Sequence, residues 1–67
     1  MRVVVNGQPR ALRAGQTLAD LLRAHDLDPR LVVVERNREI LRDRDAFASL
    51  ALADGDEIEL VHFVGGG

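Results

Sequence analysis

The 67-residue sequence predicts an α+β fold, a mixed β-sheet with one main helix across one face. Three observations predict it. Runs rich in β-branched residues at 2–6 and 31–36, with an alternating run at 57–64, read as strands. The Asn6-Gly7 pair between apolar segments is a strong hairpin signal, because both residues tolerate the positive φ of a type I′ turn. One stretch, beginning at Thr17, has its leucines at helical spacing.

Taken in order, residues 2–6 form the first strand and 9–13 return antiparallel to it. Pro9 stands at the start of that second strand, where its missing N–H does least harm. Ala14-Gly15-Gln16 is a loop. Thr17 is a helix N-cap, and Asp20 three residues later can cap back. Leu18, Leu21 and Leu22 make one apolar face, extended by Ala24 or His25, over about three turns. Pro29 disfavours helix in the residue before it, so the helix stops near 26–28. Residues 31–36 are the third strand, with Val32 and Val34 on one face and Val33 and Glu35 on the other. Ile40-Leu41 reads as an edge strand, and Asp45 as the cap of a short helical turn holding Ala46, Phe47 and Leu50. Asp54-Gly55-Asp56 is a tight turn. The last strand, 57–64, turns Ile58 and Leu60 inward and Glu57 and Glu59 outward.

Composition narrows the function. The length allows one domain, here 1–64, followed by a glycine tail, 65–67. With no cysteine there is neither a disulfide framework nor thiol chemistry, and no cluster of metal ligands is visible. A net charge of −2 weighs against nucleic acid as a partner. No apolar run approaches the roughly 20 residues of a membrane span and no signal peptide precedes the fold, which points to the cytoplasm. All nine basic residues are arginine. Codon bias accounts for that, although it also leaves an activated carboxylate no lysine amine on its own chain to react with.

Gly65-Gly66-Gly67 has no side chain to pack and a high entropic cost of ordering, so it is expected to extend flexibly from the last strand. At ~3.3 Å per residue it reaches about 10 Å. A carboxylate on such a leash can enter a narrow active site in another protein. The carboxylate is ionised at neutral pH, with an α-carboxyl pKa of about 3.3–3.7, and needs conversion to something like an acyl-adenylate before it reacts. No Gly-rich phosphate loop opens a helix here, so catalysis is expected from partners and the chain reads as carrier or co-substrate, not enzyme.

Asn6-Gly7, Ala14-Gly15-Gln16-Thr17-Leu18, Val34-Glu35-Arg36-Asn37 with Glu39-Ile40-Leu41, Asp54-Gly55-Asp56 and the ending Val61-His62-Phe63-Val64-Gly65-Gly66-Gly67 together span nearly the whole chain. Across them the sequence resembles the ubiquitin-like β-grasp sulfur carriers, most closely the ThiS family of the thiamine pathway. Many members carry Pro-Arg soon after the Asn-x-Glu-Ile segment, where Arg42-Asp43 stands here. The resemblance implies a β-grasp sheet with the first and last strands side by side at its centre. It implies that an E1-like adenylyltransferase uses ATP to adenylate the Gly67 carboxylate, that sulfur from a cysteine desulfurase or another donor converts it to a thiocarboxylate, and that thiazole synthase takes the sulfur. No cofactor is bound by the carrier itself.

The outward face near the tail offers a partner interface of Val4, Val33, Val61 and Phe63. His62 reads as a packing or edge residue and His25 as a helix-face residue. Arg36, Arg38, Arg42 and Arg44, alternating with Glu39, Asp43 and Asp45, read as a solvated mixed-charge face. Two sister functions share the chemistry, the small subunit of molybdopterin synthase and a carrier for tRNA thiolation. The short chain and the Phe-Val-Gly-Gly-Gly ending favour the thiamine branch. A function of another class is a non-covalent β-grasp module of the regulatory or RNA-associated kind, which has no need of a glycine terminus.

Overall fold

The computed structural model describes residues 1–63. Five strands, β1 (Arg2–Val5), β2 (Gln8–Ala11), β3 (Val32–Arg36), β4 (Glu39–Leu41) and β5 (Glu57–His62), form one sheet in the order β2-β1-β5-β3-β4. Helix α1 (Leu18–Ala24) crosses one face. β1 and β5 are parallel neighbours at the centre, and the other pairings are antiparallel.

The β1–β2 hairpin turns at Asn6 and Gly7, with φ of 49° and 79°, both left-handed as the sequence predicts. Thr17 and Asp20 form a reciprocal capping box: Thr17 Oγ1 accepts from the Asp20 N–H at 3.2 Å, and Asp20 Oδ2 accepts from the Thr17 N–H at 3.0 Å. Two further N–H groups at the helix start are satisfied from a distant segment, Leu18 donating to Leu50 O and Ala19 to Phe47 O. The helix is seven residues long, roughly two turns where three are expected. Asp26 ends it by taking φ of 56°. Leu27 N–H then donates to Leu22 O and Asp26 N–H to Arg23 O, a Schellman closure with aspartate in the usual glycine position.

Other boundaries also shift. The third strand, expected from 31, begins at Val32, because Leu31 ends a 3₁₀ turn, Pro29–Leu31, that Asp28 caps by accepting from Arg30 N–H at 2.9 Å. The second 3₁₀ turn, Arg44–Ala46, is capped by Asp43 rather than Asp45; the Asp43 carboxylate accepts from the Asp45 N–H at 3.1 Å. β5 ends at His62, and Val64, expected within it, lies outside the described residues.

The core lies between α1 and the sheet. Val3, Val5, Val32, Val34 and Ile58 rise from the strands to meet Leu18, Leu21 and Leu22, with Phe47 and Leu52 closing the side. Alternation along β3 and β5 therefore runs as predicted, and Leu60 packs partly buried at the core's edge. The opposite face of the sheet has no covering layer among the described residues.

Candidate functional site

The first residues of β5 are held from several directions. The Gly55 N–H donates to Arg2 O at 2.7 Å, and the Arg2 N–H donates to Asp54 Oδ1 at 2.7 Å. Next to this turn is the buried carboxylate of Asp56. It accepts from Ala53 N–H at 2.8 Å, Arg36 Nε at 3.0 Å and Asn37 Nδ2 at 3.1 Å. Burial by itself raises the Asp56 pKa, but these donors outweigh it and hold the carboxyl below its ordinary value. Asn37 also clasps Glu57, its backbone N–H donating to Glu57 O at 2.8 Å and its Oδ1 accepting from Glu57 N–H at 2.9 Å.

Halfway along β5 the neighbouring strand β1 ends at the hairpin, and the side chain of Asn6 takes over its pairing. Asn6 Oδ1 accepts from Leu60 N–H at 2.7 Å, while Nδ2 donates to Leu60 O at 3.3 Å. The amide thus supplies one more rung of ladder after the backbone has turned away. On the other side β3 stays in register to the end of β5, and Phe63 N–H donates to Leu31 O at 2.8 Å.

Of the four residues expected at a partner interface, the structure brings three together. Val33 lies directly opposite Val61, and Phe63 follows on the same face. Val61 is 58% exposed and Phe63 55%, large values for side chains of this kind. Leu31, whose carbonyl accepts from Phe63 N–H, is also exposed. Val4 shares the face but stands apart: it is half-buried and pairs with Glu57, four residues back along β5, or about 13 Å at strand spacing. A hollow lined by Val33, Ile40, Leu41, Arg42 and Arg44 continues the apolar zone toward β4.

The arginine series is not uniformly solvated. Arg36 is committed to Asp56, and Arg44 donates to Pro29 O at 2.9 Å and Val32 O at 3.2 Å, closing the end of β3 beyond β4. Arg38 and Arg42 are exposed. His25 is the C-cap of α1. His62 is half-buried on the helix side of β5, and its Nε2 is buried without a hydrogen-bond partner among the described residues. No group of three His, Cys, Asp or Glu side chains among the described residues is placed to hold a metal. No helix there is long and apolar enough to cross a membrane. Gly65, Gly66 and Gly67, the expected tail and point of chemistry, lie outside the described residues.

The family model described as the ThiS family matches residues 3–67. The chain belongs to the ThiS family. The sulfur carrier protein ThiS of Bacillus subtilis is 47% identical over 51 residues, 76% of each chain. The crystal structure of the thiamine biosynthesis protein ThiS from Geobacter metallireducens superposes with a TM-score of 0.79 at 34% identity, covering all of both chains. ThiS is thus a sulfur carrier family of thiamine biosynthesis, and its β-grasp fold is the one described above. A thiazole synthase of Paramagnetospirillum magneticum is 43% identical across the whole of this chain, which spans only 20% of that protein. The same holds for a thiazole synthase of Magnetococcus marinus, at 40% identity.

Proposed function

We propose that this chain carries sulfur for thiazole formation as a thiocarboxylate at Gly67, delivered by Gly65 and Gly66 as a leash beyond the 1–64 domain. The single observation behind the proposal is the placement of β5 at the centre of a ThiS-family sheet, with its first residues locked and the glycines following it within a few positions in sequence. The chemistry is assigned to partners. An E1-like adenylyltransferase joins the Gly67 carboxylate to the AMP part of ATP, releasing pyrophosphate. Sulfide from a donor displaces AMP directly, or the persulfide of a cysteine desulfurase displaces it to give an acyl persulfide. A thiol then reduces the S–S bond of that acyl persulfide, leaving the thiocarboxylate and a disulfide. The resulting thiocarboxylate is anionic and nucleophilic at neutral pH and hands its sulfur to thiazole synthase. The carrier needs no bound cofactor for this and acts as co-substrate rather than enzyme, in the cytoplasm. Val33, Val61 and Phe63 form the apolar contact beside the leash, with Val4 at its far margin.

Intact-mass analysis after incubation with ATP, the adenylyltransferase and a sulfur donor tests the proposal. The expected product has sulfur in place of one oxygen at Gly67, and one residue added after Gly67 abolishes its formation while the fold persists. Absence of both adenylate and thiocarboxylate on the unaltered chain refutes the proposal.

A second reading rests on the coverage of the two thiazole synthases, each matched over all of this chain but a fifth of its own length. On that reading the domain is the carrier portion of a longer synthase polypeptide, placing donor and acceptor of sulfur on one chain. The mass of the protein isolated from its native cells distinguishes the two.

A further inference from the structure

The strands on either side of β5 each end in a hairpin turn, and the two turns have nearly the same backbone. Asn6 and Gly7 have φ of 49° and 79°, Asn37 and Arg38 φ of 51° and 73°. In each turn the first residue is an asparagine whose side chain reaches past its own hairpin to β5. Asn6 binds Leu60, through Oδ1 at 2.7 Å and Nδ2 at 3.3 Å. Asn37 Oδ1 accepts from Glu57 N–H at 2.9 Å, and its Nδ2 donates to the Asp56 carboxylate at 3.1 Å. The turns differ in their second residue. Arg38 carries a side chain at a φ that such residues rarely adopt, whereas Gly7 carries none. Packing does not demand that glycine, because a Cβ there would meet nothing within 4 Å beyond its chain neighbours.

The difference is chemical. The side-chain Cγ of an asparagine lies within reach of the backbone nitrogen of the next residue. That nitrogen can attack Cγ and expel ammonia, closing a cyclic imide. Water then opens the imide at either carbonyl, leaving aspartate or isoaspartate, with nothing oxidised or reduced. A side chain on the attacking residue shields its nitrogen, and glycine leaves it bare. Asn6 is exposed, so water reaches it. In the folded turn, however, both polar atoms of its amide are committed to Leu60, and ring closure requires the backbone to leave its left-handed conformation.

We propose that Asn6 is a site of spontaneous deamidation gated by the fold, which reacts when the Leu60 end of β5 opens locally and thereafter lacks the amide that makes the Leu60 rung. Aspartate at this position still accepts from Leu60 N–H, but it turns an anionic oxygen toward Leu60 O where an N–H donor stood. Isoaspartate adds a carbon to the backbone of a tight turn, and turn length sets the register of a hairpin. Asn37, shielded by Arg38, stays intact, so the change falls on the Leu60 end alone and spares the Asp56 end. That shield also gives the unfavourable φ of Arg38 a use that glycine could not supply.

Peptide mapping of the chain held at mildly alkaline pH, folded and in urea, reads conversion at each asparagine. In urea Asn6 is expected to convert well ahead of Asn37, and Arg38→Gly to bring Asn37 level with it. In the folded chain Asn6 is expected to convert about tenfold more slowly than in urea. The purified isoaspartate form is expected to exchange its Leu60 amide about fivefold faster than the unaltered chain, with exchange at Glu57 unchanged. Equal rates at Asn6 in the folded chain and in urea overturn the gate. Conversion of Asn37 in step with Asn6 in the unaltered chain in urea overturns the roles given to Gly7 and Arg38. Exchange at Leu60 that stays slow in the isoaspartate form overturns the consequence for β5. None of these measurements involves loading at Gly67, so the inference stands or falls apart from the carrier reading.

Discussion

At its first residues β5 is tied to several other segments at once, whereas near its last described residues only β3 still runs beside it with backbone bonds. The Asp56 carboxylate gathers Ala53, Arg36 and Asn37, and the adjoining turn is bonded to Arg2. At the other end β1 has already turned away, and a single asparagine side chain stands in for it at Leu60. The contrast shows how a small domain can hold a strand firmly and still present its outgoing end to a partner. Rigidity is concentrated where the strand enters, and the exit keeps one side clear of neighbouring backbone.

Breaking the fastened end is expected to have the largest effect. Asp56→Ala leaves three donors without their acceptor and is expected to lower the unfolding free energy by about 3 kcal/mol in urea titration at neutral pH. Because the folded-state pKa of Asp56 is depressed, its contribution is complete above the unfolded value near 3.8 and is lost as pH falls through the lower folded value. The gap between variant and unaltered chain should therefore narrow on acidification below that point. A gap that stays constant down to strongly acid pH would contradict the role given to this carboxylate. Asp28, bound by Arg30 and held at about 2, changes in the same direction, but its partner Arg30 is exposed to solvent and the pair contributes less.

Asn6→Gly tests the exit end. Glycine keeps the left-handed backbone at this position and deletes the amide, so the expected loss is about 1 kcal/mol, accompanied by faster hydrogen exchange at the Leu60 amide. Unchanged exchange at Leu60 would mean the side-chain rung contributes nothing. The smallest effect has the opposite sign. Arg38 adopts φ of 73° in the β3–β4 turn, a conformation that costs a side chain roughly 1 kcal/mol. Arg38→Gly is expected to return that amount and raise the melting temperature by about 4–8 °C, measured by circular dichroism. This turn lies at the fastened end of β5.

What the sequence made legible was local. The Asn6-Gly7 turn, the Thr17–Asp20 capping box and the alternation of Val32, Val33, Val34 and Glu35 each depend on residues within a few positions of one another, and each is found as expected. The central placement of the first and last strands came from family resemblance, since periodicity carries no information on strand order. What stayed hidden was the second use of side chains already explained by a first. Asn6 read as a turn residue, and its bond to Leu60 spans 54 positions. Arg36 and Arg44 read as solvent-facing charges in a mixed run, because nothing nearby in sequence marks Asp56 or the carbonyls of Pro29 and Val32 as their targets. Alternation places Val4, Val33, Val61 and Phe63 on one face, but the distance of Val4 along β5 depends on the parallel register of β1.

The position of β5 between β1 and β3 has a mechanical consequence. A pull applied along the axis of β5 loads its ladder bonds to β1 and to β3 together in shear. They cannot open one after another, as they would if the strand were peeled from an edge. A domain pulled along this strand can thus carry tension while its fold stays intact.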